Sequence, residues 1–234
     1  SATLDFQGVA YSTTEAITLN GGTLKTSVGT SSFAGGVTLV ASSFFDVTSS
    51  QLTLSGDIND GISAFGFTKT GSGKVVLSGV NTHKGGTTIN SGILSISSGS
   101  AINASSSPVG LILAGGTLEA TNAVSLDTLV TVTADSGIST VTPNGLITLN
   151  SQMRSAGHTL DLSGGGDFTF NNPFNDFGTV TMTNAGIVLL FDKNTLTIGT
   201  STVKKLTAVA GAETGYTSSN LILNGSITAS LAGD

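Results

Sequence analysis

Short runs of alternating apolar and polar residues, each closed by a turn signal, recur along the chain. Three clear copies are ITLNGGTL at 17–24, LILAGGTL at 111–118 and LILNGSIT at 221–228. Alternation over three to five residues is typical of a half-buried strand. Asn and Gly supply the left-handed conformation that tight turns need. The pattern therefore predicts many short β-strands joined by tight turns.

The spacing of the copies separates two all-β architectures. Looser copies begin at Leu52, Val75, Thr87, Ile147 and Leu160, and the intervals between copies lie close to multiples of a dozen residues. A sandwich of hairpins has no fixed period, whereas a β-solenoid repeats its turns because one coil stacks on the next. The spacing favours a parallel β-solenoid of roughly ten coils, with about 24 residues per coil, over a sandwich.

We expect residues 1–234 to form one such domain, with Ile, Val, Leu and Phe inside and Thr and Ser outside. The Phe residues expected to stack in the interior are those at 44, 45, 65, 67, 168, 170, 174 and 177. Residues 171–177, NNPFNDF, interrupt the alternation and are expected to form a protruding loop. Since loops of solenoids commonly carry binding residues, Phe174, Asp176 and Phe177 are candidate contact residues.

Composition supports the all-β interpretation and narrows the partners. Gly, Ser and Thr number 32, 32 and 36, whereas charged residues make up 9% of the chain, so helix-surface residues are scarce. Hydrophobic residues at 38% and a mean hydropathy of +0.31 exclude a disordered linker. A net charge of −6 with eight scattered basic residues argues against a nucleic-acid partner. The longest strongly apolar run, Ile187–Phe191, is too short to span a bilayer.

The acidic residues do not form a recognisable catalytic pair. A glycosidase needs two carboxylates that face each other across a cleft. Asp57 and Asp60 lie in one turn, and Asp161 and Asp167 flank a glycine run, where Asp normally bonds its own backbone. We therefore expect a protein without catalytic residues.

Metal and cofactor motifs are also incomplete. The DINDG run at 57–61 begins like a calcium loop but has Thr68, not Glu, at the twelfth position. His83 and His158 have no ligand-spaced partner and are expected to be solvated turn residues, and there is no Cys. The sequence predicts no cofactor and no bound metal.

Residues 52–102 resemble a known repeat. The segment contains TKTGSG at 68–73, LSGVNT at 77–82, GGTTIN at 85–90 and GIL at 92–94. These strings are similar to the passenger-associated transport repeat of bacterial autotransporters, with His83 at a position where that family commonly has Tyr. The resemblance implies coils of a right-handed parallel β-helix in a secreted, non-catalytic passenger. It also implies a location outside the bacterial cell. Since the sequence begins at Ser1 without Met, we expect either that a signal peptide has been removed or that the chain is a piece of something longer.

The two ends of the chain resemble strands and not caps. The expected end residues are Leu4 and Phe6 at one end and Leu221, Leu223 and Ile227 at the other. Since an uncapped coil exposes unpaired backbone groups, we expect homo-oligomers that stack end to end into a filament. The alternatives are an adhesive passenger fragment that binds a glycan or protein on a cell surface, and a β-helical carbohydrate-active enzyme.

Overall fold

The structure is a computed structural model that describes residues 2–102, 110–143, 145–155, 157–211 and 220–229. Its regular structure consists of 26 β-strands and one 3₁₀ turn, Gly99–Ile102. All strand pairings are parallel, and each strand pairs with strands about one coil away in sequence. The predicted all-β parallel solenoid of about ten coils is confirmed.

Most coils contribute strands to three faces in turn. The first face comprises β1 (Thr3–Asp5), β4 (Thr23–Thr26), β7 (Ser43–Val47), β10 (Phe67–Thr70), β12 (Thr87–Ile89), β14 (Leu111–Ala114), β17 (Val130–Ala134) and β20 (Met153–Arg154). The second face comprises β2 (Ala10–Tyr11), β5 (Thr30–Phe33), β8 (Gln51–Leu54), β11 (Lys74–Leu77), β13 (Ile93–Ile96), β15 (Thr117–Ala120), β18 (Ser136–Thr140) and β21 (Thr159–Ser163). The third strand of a coil is β3 (Ile17–Asn20), β6 (Val37–Ala41), β9 (Ile58–Asn59), β16 (Val124–Leu126), β19 (Leu146–Leu149) or β22 (Asp167–Phe170).

The last described coils have fewer corners. Strand β23 (Thr179–Asp192) pairs with β21 through its first half and with β22 through its second half, so it covers the second and third faces without a break. Strand β24 (Leu196–Ala210) runs beside it, and β25 (Leu221–Leu223) and β26 (Ile227–Ala229) pair with β24.

The coil length differs from the expected one. Phe67 pairs with Thr87 and Thr87 with Leu111, so two successive coils rise after 20 and then 24 residues. The recurring motif also lies on more than one face, since Ile17 starts a third-face strand and Leu111 a first-face strand. Successive strands begin about seven residues apart, as at Thr3, Ala10 and Ile17, so the dozen-residue spacing is not the distance between corners of the three-sided coil.

The core runs the length of the rod as columns of stacked inward side chains. One column on the first face contains Leu24, Phe45, Lys69, Ile89 and Leu113, each paired with the next and each fully buried. Outward positions in these strands are mostly Thr, Ser and other polar residues. Apolar stacking of this kind is the main stabilising term in a solenoid, where each coil contacts only the coils next to it.

Glycines mark the tight corner before the third face. A Cβ on Gly56 would meet the carbonyl oxygen of Gly35, and a Cβ on Gly79 would meet that of Gly56. Successive coils approach so closely there that a side chain does not fit. This corner is named the glycine corner below.

Candidate functional site

The N-terminal coil leaves the hydrophobic core open. Leu4 pairs with Leu24 and Tyr11 with Phe33, which places both on inward positions. Leu24 is fully buried, but Leu4 and Tyr11 are 45% and 47% exposed because no described coil covers them. Inward side chains that are exposed at an end of the rod are called an end plate below. Leu4 and Tyr11 belong to the N-terminal end plate, which is apolar like the core but exposed like a surface.

Two concavities lie in this end plate. One has a volume of about 420 Å³ and lies between Leu4, Ile17 and Leu19, and the other, of about 270 Å³, lies between Leu4, Tyr11 and Ile17. Within the described residues, β1, β2 and β3 each pair with a strand on one side only. The end therefore presents free strand edges around an apolar centre, an arrangement that accepts a further parallel strand.

The C-terminal coil has the same character. Leu221 pairs with Leu196 and Leu223 with Ile198, so both leucines occupy inward positions. Leu196 and Ile198 are fully buried, whereas Leu221 and Leu223 are 45% and 61% exposed. Ile227 is half-buried and packs against the core.

Phe6 differs from the other end residues that the sequence suggests. It is only 4% exposed, because its ring packs between Tyr11 and Phe33 with centroid distances of 5.6 and 5.7 Å. Phe6 is therefore part of the core beneath the end plate and offers little surface to a stacking partner. Tyr11, which the sequence reasoning missed, takes the exposed place; its pairing with an inward Phe becomes visible only with the register.

The segment 171–177 is built into the coil and does not protrude as expected. Asn175 is fully buried; its Oδ1 accepts the Met153 N–H, and its Nδ2 donates to the carbonyls of Phe170 and Phe191. Phe177 is 4% exposed and its ring lies 6.4 Å from that of Phe170.

Of the three candidate contact residues, Phe174 is the exposed one, at 50%. The Asp176 carboxylate is half-buried and lies 2.8 Å from the Lys193 ammonium. The buried amide of Asn175, which takes the place of a missing strand, explains why this segment follows the coil.

The transport-repeat lysine lies inside the rod. Lys69 is fully buried in a column of apolar side chains, and its ammonium donates to the carbonyls of Thr70, Gly71 and Ser91 at 2.7, 2.8 and 3.1 Å. Burial lowers the pKa of Lys69 to about 8. The ammonium joins the corners of two successive coils, since Gly71 and Ser91 belong to neighbouring coils.

His83 is also inside, so the expectation of a solvated turn histidine is wrong. It is fully buried, its Nε2 lies 3.1 Å from the Thr87 hydroxyl, and its ring centroid lies 5.2 Å from that of Phe67. Burial lowers the pKa of His83 to about 4, and the nearby Asp60 carboxylate opposes that shift. The imidazole fills the place where the family commonly has a larger aromatic ring.

Asn81 continues the ladder where the third-face strand is missing. Its Oδ1 accepts the Ile58 N–H at 2.8 Å, and its Nδ2 donates to the Ala101 carbonyl. A side-chain amide thus replaces a backbone peptide group between two coils.

Aspartates in the turns bind the neighbouring coil. Asp57 accepts the Val80 N–H at 2.8 Å, and Asp60 accepts the Lys84 N–H at 2.7 Å in addition to the Phe65 N–H of its own turn. Carboxylates in such positions link one coil to the next by charge-assisted hydrogen bonds.

The second acidic pair shows the same pattern. Asp161 accepts the hydroxyls of Thr181 and Thr183 at 3.0 Å, and Asp167 accepts the Ile187 N–H at 2.6 Å. The own-backbone bonding expected of turn aspartates is therefore replaced largely by bonds to the next coil.

Neither a metal-binding cluster nor a membrane-spanning helix is present among the described residues. No three His, Asp or Glu side chains lie close enough together there to hold a metal ion. In the same part of the chain no helix has the length and apolar character needed to cross a membrane.

Comparison with known proteins agrees with this geometry. Residues 67–96 match the family model of the passenger-associated-transport-repeat, and these residues include Lys69, Asn81 and His83. A 190-residue alignment that covers 72% of the chain is 31% identical to the adhesin BmaC autotransporter of Brucella suis biovar 1 (strain 1330). No solved structure matches the chain.

The chain spans about 5% of the length of that curated relative. The matched repeat also lies within residues 52–102, where the sequence strings suggest it. Residues 67–96 thus carry a passenger-associated-transport-repeat, and the resemblance of the chain to β-helical autotransporter passengers is confirmed.

Proposed function

We propose that the chain forms a rigid, non-catalytic scaffold of an extracellular β-helix of the bacterial surface type, and that copies stack end to end into a filament. The observation that carries the proposal is the exposure of inward core residues at both open coils. Leu4 and Leu223 are 45% and 61% exposed at positions whose partners in the next coil are fully buried.

An open coil has unpaired strand edges and exposed core residues, and stacking removes both. It pairs the free edges of β1, β2 and β3 with strands of another copy, and it removes the end plates from water. Burying the remaining surface of each half-exposed leucine contributes about 1 kcal/mol. When one surface of a copy binds a different surface of the next copy, and the series does not close into a ring, the product is an open filament.

A surface location follows from the resemblance to autotransporter passengers and fits the composition. A chain without Cys, with 9% charged residues and a coat of Thr and Ser, is compatible with an oxidising extracellular environment because it has no thiol to oxidise. The turn aspartates that an enzyme would need as facing acids instead bind neighbouring coils, which supports a non-catalytic role.

The stacking proposal is tested with one end variant and one matched control. L223D places a charge in the C-terminal end plate, whereas V80D changes a side chain of equal exposure, 61%, in the middle of the rod. We expect concentration-dependent filaments of the unaltered chain and of V80D in electron microscopy and sedimentation velocity, and monomers of L223D. Monomers of the unaltered chain at high concentration would contradict the proposal.

The second candidate is an adhesive passenger fragment, favoured by the similarity to an adhesin. Its contact surface would be the corner at 171–177, where the Phe174 ring is half-exposed. Binding is measured on a glycan array and on cell-surface protein extracts, and F174A should lose it. The control F44A alters another Phe of the rod that is 44% exposed, and it should retain binding. Equal binding by both variants would remove this surface from consideration.

A further inference from the structure

A polar hollow lies on the second face, in the middle part of the rod and away from both end plates. Its volume is about 390 Å³, which falls within the range of about 300–1,000 Å³ that is typical of small-molecule sites. Three paired strands form it, since Thr117 of β15, Gly137 of β18 and Asp161 of β21 follow one another in a single outward column. The hollow therefore belongs to the regular sheet and not to a loop.

The hollow is open because Gly137 has no side chain. In the preceding coils the same column carries a side chain at every position, namely Gln51, Lys74, Ile93 and Thr117. A Cβ on Gly137 would meet only side-chain atoms of Thr117, the nearest being the hydroxyl oxygen at 2.9 Å. At the glycine corner, in contrast, an added Cβ would meet backbone carbonyl groups.

The backbone at Gly137 does not require glycine. Its φ is not among the positive values that mark the left-handed glycines of the chain. A glycine inside a strand weakens that strand, and it often marks a place where a ligand or another chain closely approaches the backbone. Neither the conformation nor the packing of the backbone accounts for Gly137, whereas an approaching ligand does.

Two aspartates line the hollow, and each has one carboxylate oxygen available. The Oδ1 atom of Asp135 accepts the Thr159 N–H at 2.8 Å. The Oδ1 atom of Asp161 accepts the hydroxyls of Thr181 and Thr183, both at 3.0 Å. Among the described residues no hydrogen bond reaches the Oδ2 atom of either aspartate. The bonds to Oδ1 thus hold both carboxylates in place and leave two acceptor atoms for a ligand.

Hydroxyl groups complete the lining of the hollow. Those of Thr117, Thr159 and Ser163 border it at half-buried outward positions, and each can both donate and accept a hydrogen bond. The His158 imidazole lies beside them, with its Nδ1 atom 3.9 Å from the Oδ1 atom of Asp135. The lining therefore combines two fixed acceptors with several hydroxyl groups that can serve in either role.

The chemistry of the lining distinguishes between classes of ligand. A calcium ion takes about six to eight oxygen ligands. No three His, Asp or Glu side chains among the described residues lie close enough together to hold a metal ion. An anionic ligand would be repelled by the two carboxylates. A neutral sugar fits, because its adjacent hydroxyl groups donate to carboxylate oxygens and exchange hydrogen bonds with Thr and Ser.

We propose that this hollow binds one residue of a neutral saccharide, with Asp135 and Asp161 as acceptors for its hydroxyl groups. Gly137 is the residue that leaves room for the sugar ring. The site lies on a different surface from the corner at 171–177 and is independent of the proposed stacking. Binding should therefore be the same whether or not the chain assembles into filaments.

The first test fills the hollow. G137V adds a β-branched side chain that suits a strand and occupies the space of the ligand. The control T53V changes an outward residue of the same face, four strands away from β18. Saturation-transfer NMR and titration calorimetry measure binding of the methyl glycosides of glucose, galactose and mannose, and of neutral trisaccharides. At least one of them should bind the unaltered chain and T53V equally, and bind G137V about tenfold more weakly or not at all.

The second test changes one acceptor and leaves the shape of the hollow unchanged. D135N keeps an oxygen for the Thr159 N–H and replaces the available oxygen by an NH₂ group, which can only donate. The same saccharide should bind D135N about five- to tenfold more weakly. Thermal melting of each variant, compared with that of the unaltered chain, shows that the solenoid is intact.

The outcomes decide between this site and its alternatives. The inference is wrong if no neutral saccharide binds the unaltered chain, or if G137V and D135N bind it as well as T53V does. Binding that F174A loses and G137V retains would place the sugar at the corner 171–177 instead. Equal binding of glucuronic acid and methyl glucoside would show that the carboxylates do not face the ligand. Binding of calcium ions or lysine amide in place of saccharides would show a cation site and overturn the inference.

Discussion

Two coils of this solenoid fill the same interior space with different chemistry. In the transport-repeat coil, residues 67–83, Lys69, Asn81 and His83 are buried and hydrogen-bonded. In the coil at 153–170 the interior holds Phe168 and Phe170, whose rings meet edge to face at 6.1 Å. The backbone of the solenoid accommodates both, provided that every buried polar group finds a partner.

The difference matters for how each coil responds to change. An apolar interior loses stability with the volume removed, whereas a hydrogen-bonded interior loses it when one partner is deleted or changes its protonation state. The predictions below test that distinction, beginning with the largest expected effect.

F168A should destabilise the apolar coil by about 4 kcal/mol, since it removes a fully buried ring from a column that cannot collapse. The measurement is the free energy of unfolding in urea. The control is F44A, which alters a ring that is 44% exposed and should lose much less. Similar losses for the two variants would mean that the interior near Phe168 repacks.

K69M should destabilise the transport-repeat coil by about 3 kcal/mol, although it adds an apolar side chain of similar length. Three buried carbonyls lose the ammonium that they share, and leaving buried acceptors unpaired is costly. K25M, which breaks the half-exposed Lys25–Asp46 pair, should cost far less in the same urea titration. A gain of stability in K69M would show that the polar interior is not needed for the fold.

Acid should weaken the transport-repeat coil through His83. Because burial lowers the pKa of His83 to about 4, the unfolded chain takes up a proton near pH 6.5 while the folded chain does not. Stability therefore falls as the pH decreases from about 6.5 to 4, by about 2 kcal/mol at pH 5. Hydrogen exchange of peptides from residues 67–96 at pH 7 and pH 5, corrected for intrinsic rates, measures this loss. In H83Q the loss should be absent.

The segment 176–194, which follows the apolar coil, should respond to acid in the opposite sense. Its stability should rise as the pH falls, by less than the transport-repeat coil loses. Burial raises the pKa of Asp192, a fully buried carboxyl that accepts the N–H groups of Phe177 and Asn194. Since the folded chain then binds a proton more readily than the unfolded one, this group adds stability as the pH falls through its folded pKa. D192N should remove that gain in peptides from residues 176–194 without changing those from 67–96. An identical acid response of the two regions would contradict the comparison.

Several buried polar residues stand in sequence motifs that are easy to recognise, but the motifs do not show whether these residues are buried or solvated. Lys69 and Asn81 stand in motif strings that mark the repeat, yet a Lys after Thr68 or an Asn before Thr82 is equally compatible with a solvated turn. Only the register, which pairs Lys69 with Phe45 and Ile89, shows that the ammonium occupies an apolar column. Local residue propensity does not show whether Lys69 is buried, because the cost of burying its ammonium depends on partners about 20 residues away.

The aromatic residues illustrate the same limit. Phe45 and Phe67 stack at 4.4 Å as the pattern predicts, but Phe44 lies outside because adjacent strand residues face opposite sides. Phe174 is exposed for a similar reason, since the fully buried Asn175 beside it holds the corner. The choice between two neighbouring Phe residues depends on strand phase, which a short run does not define.

The sequence by itself determined the fold class, the transport repeat and the glycine-marked corners, because these depend on local alternation, turn chemistry and a specific string of residues. The tertiary structure alone decided the number of faces, the burial of His83, and which coil each carboxylate binds. It also decided that Leu4, Tyr11, Leu221 and Leu223 occupy inward positions that no coil among the described residues covers. These features arise when coils separated by about 20 residues stack at fixed register, and a one-residue slip would exchange the inside and the outside of every strand.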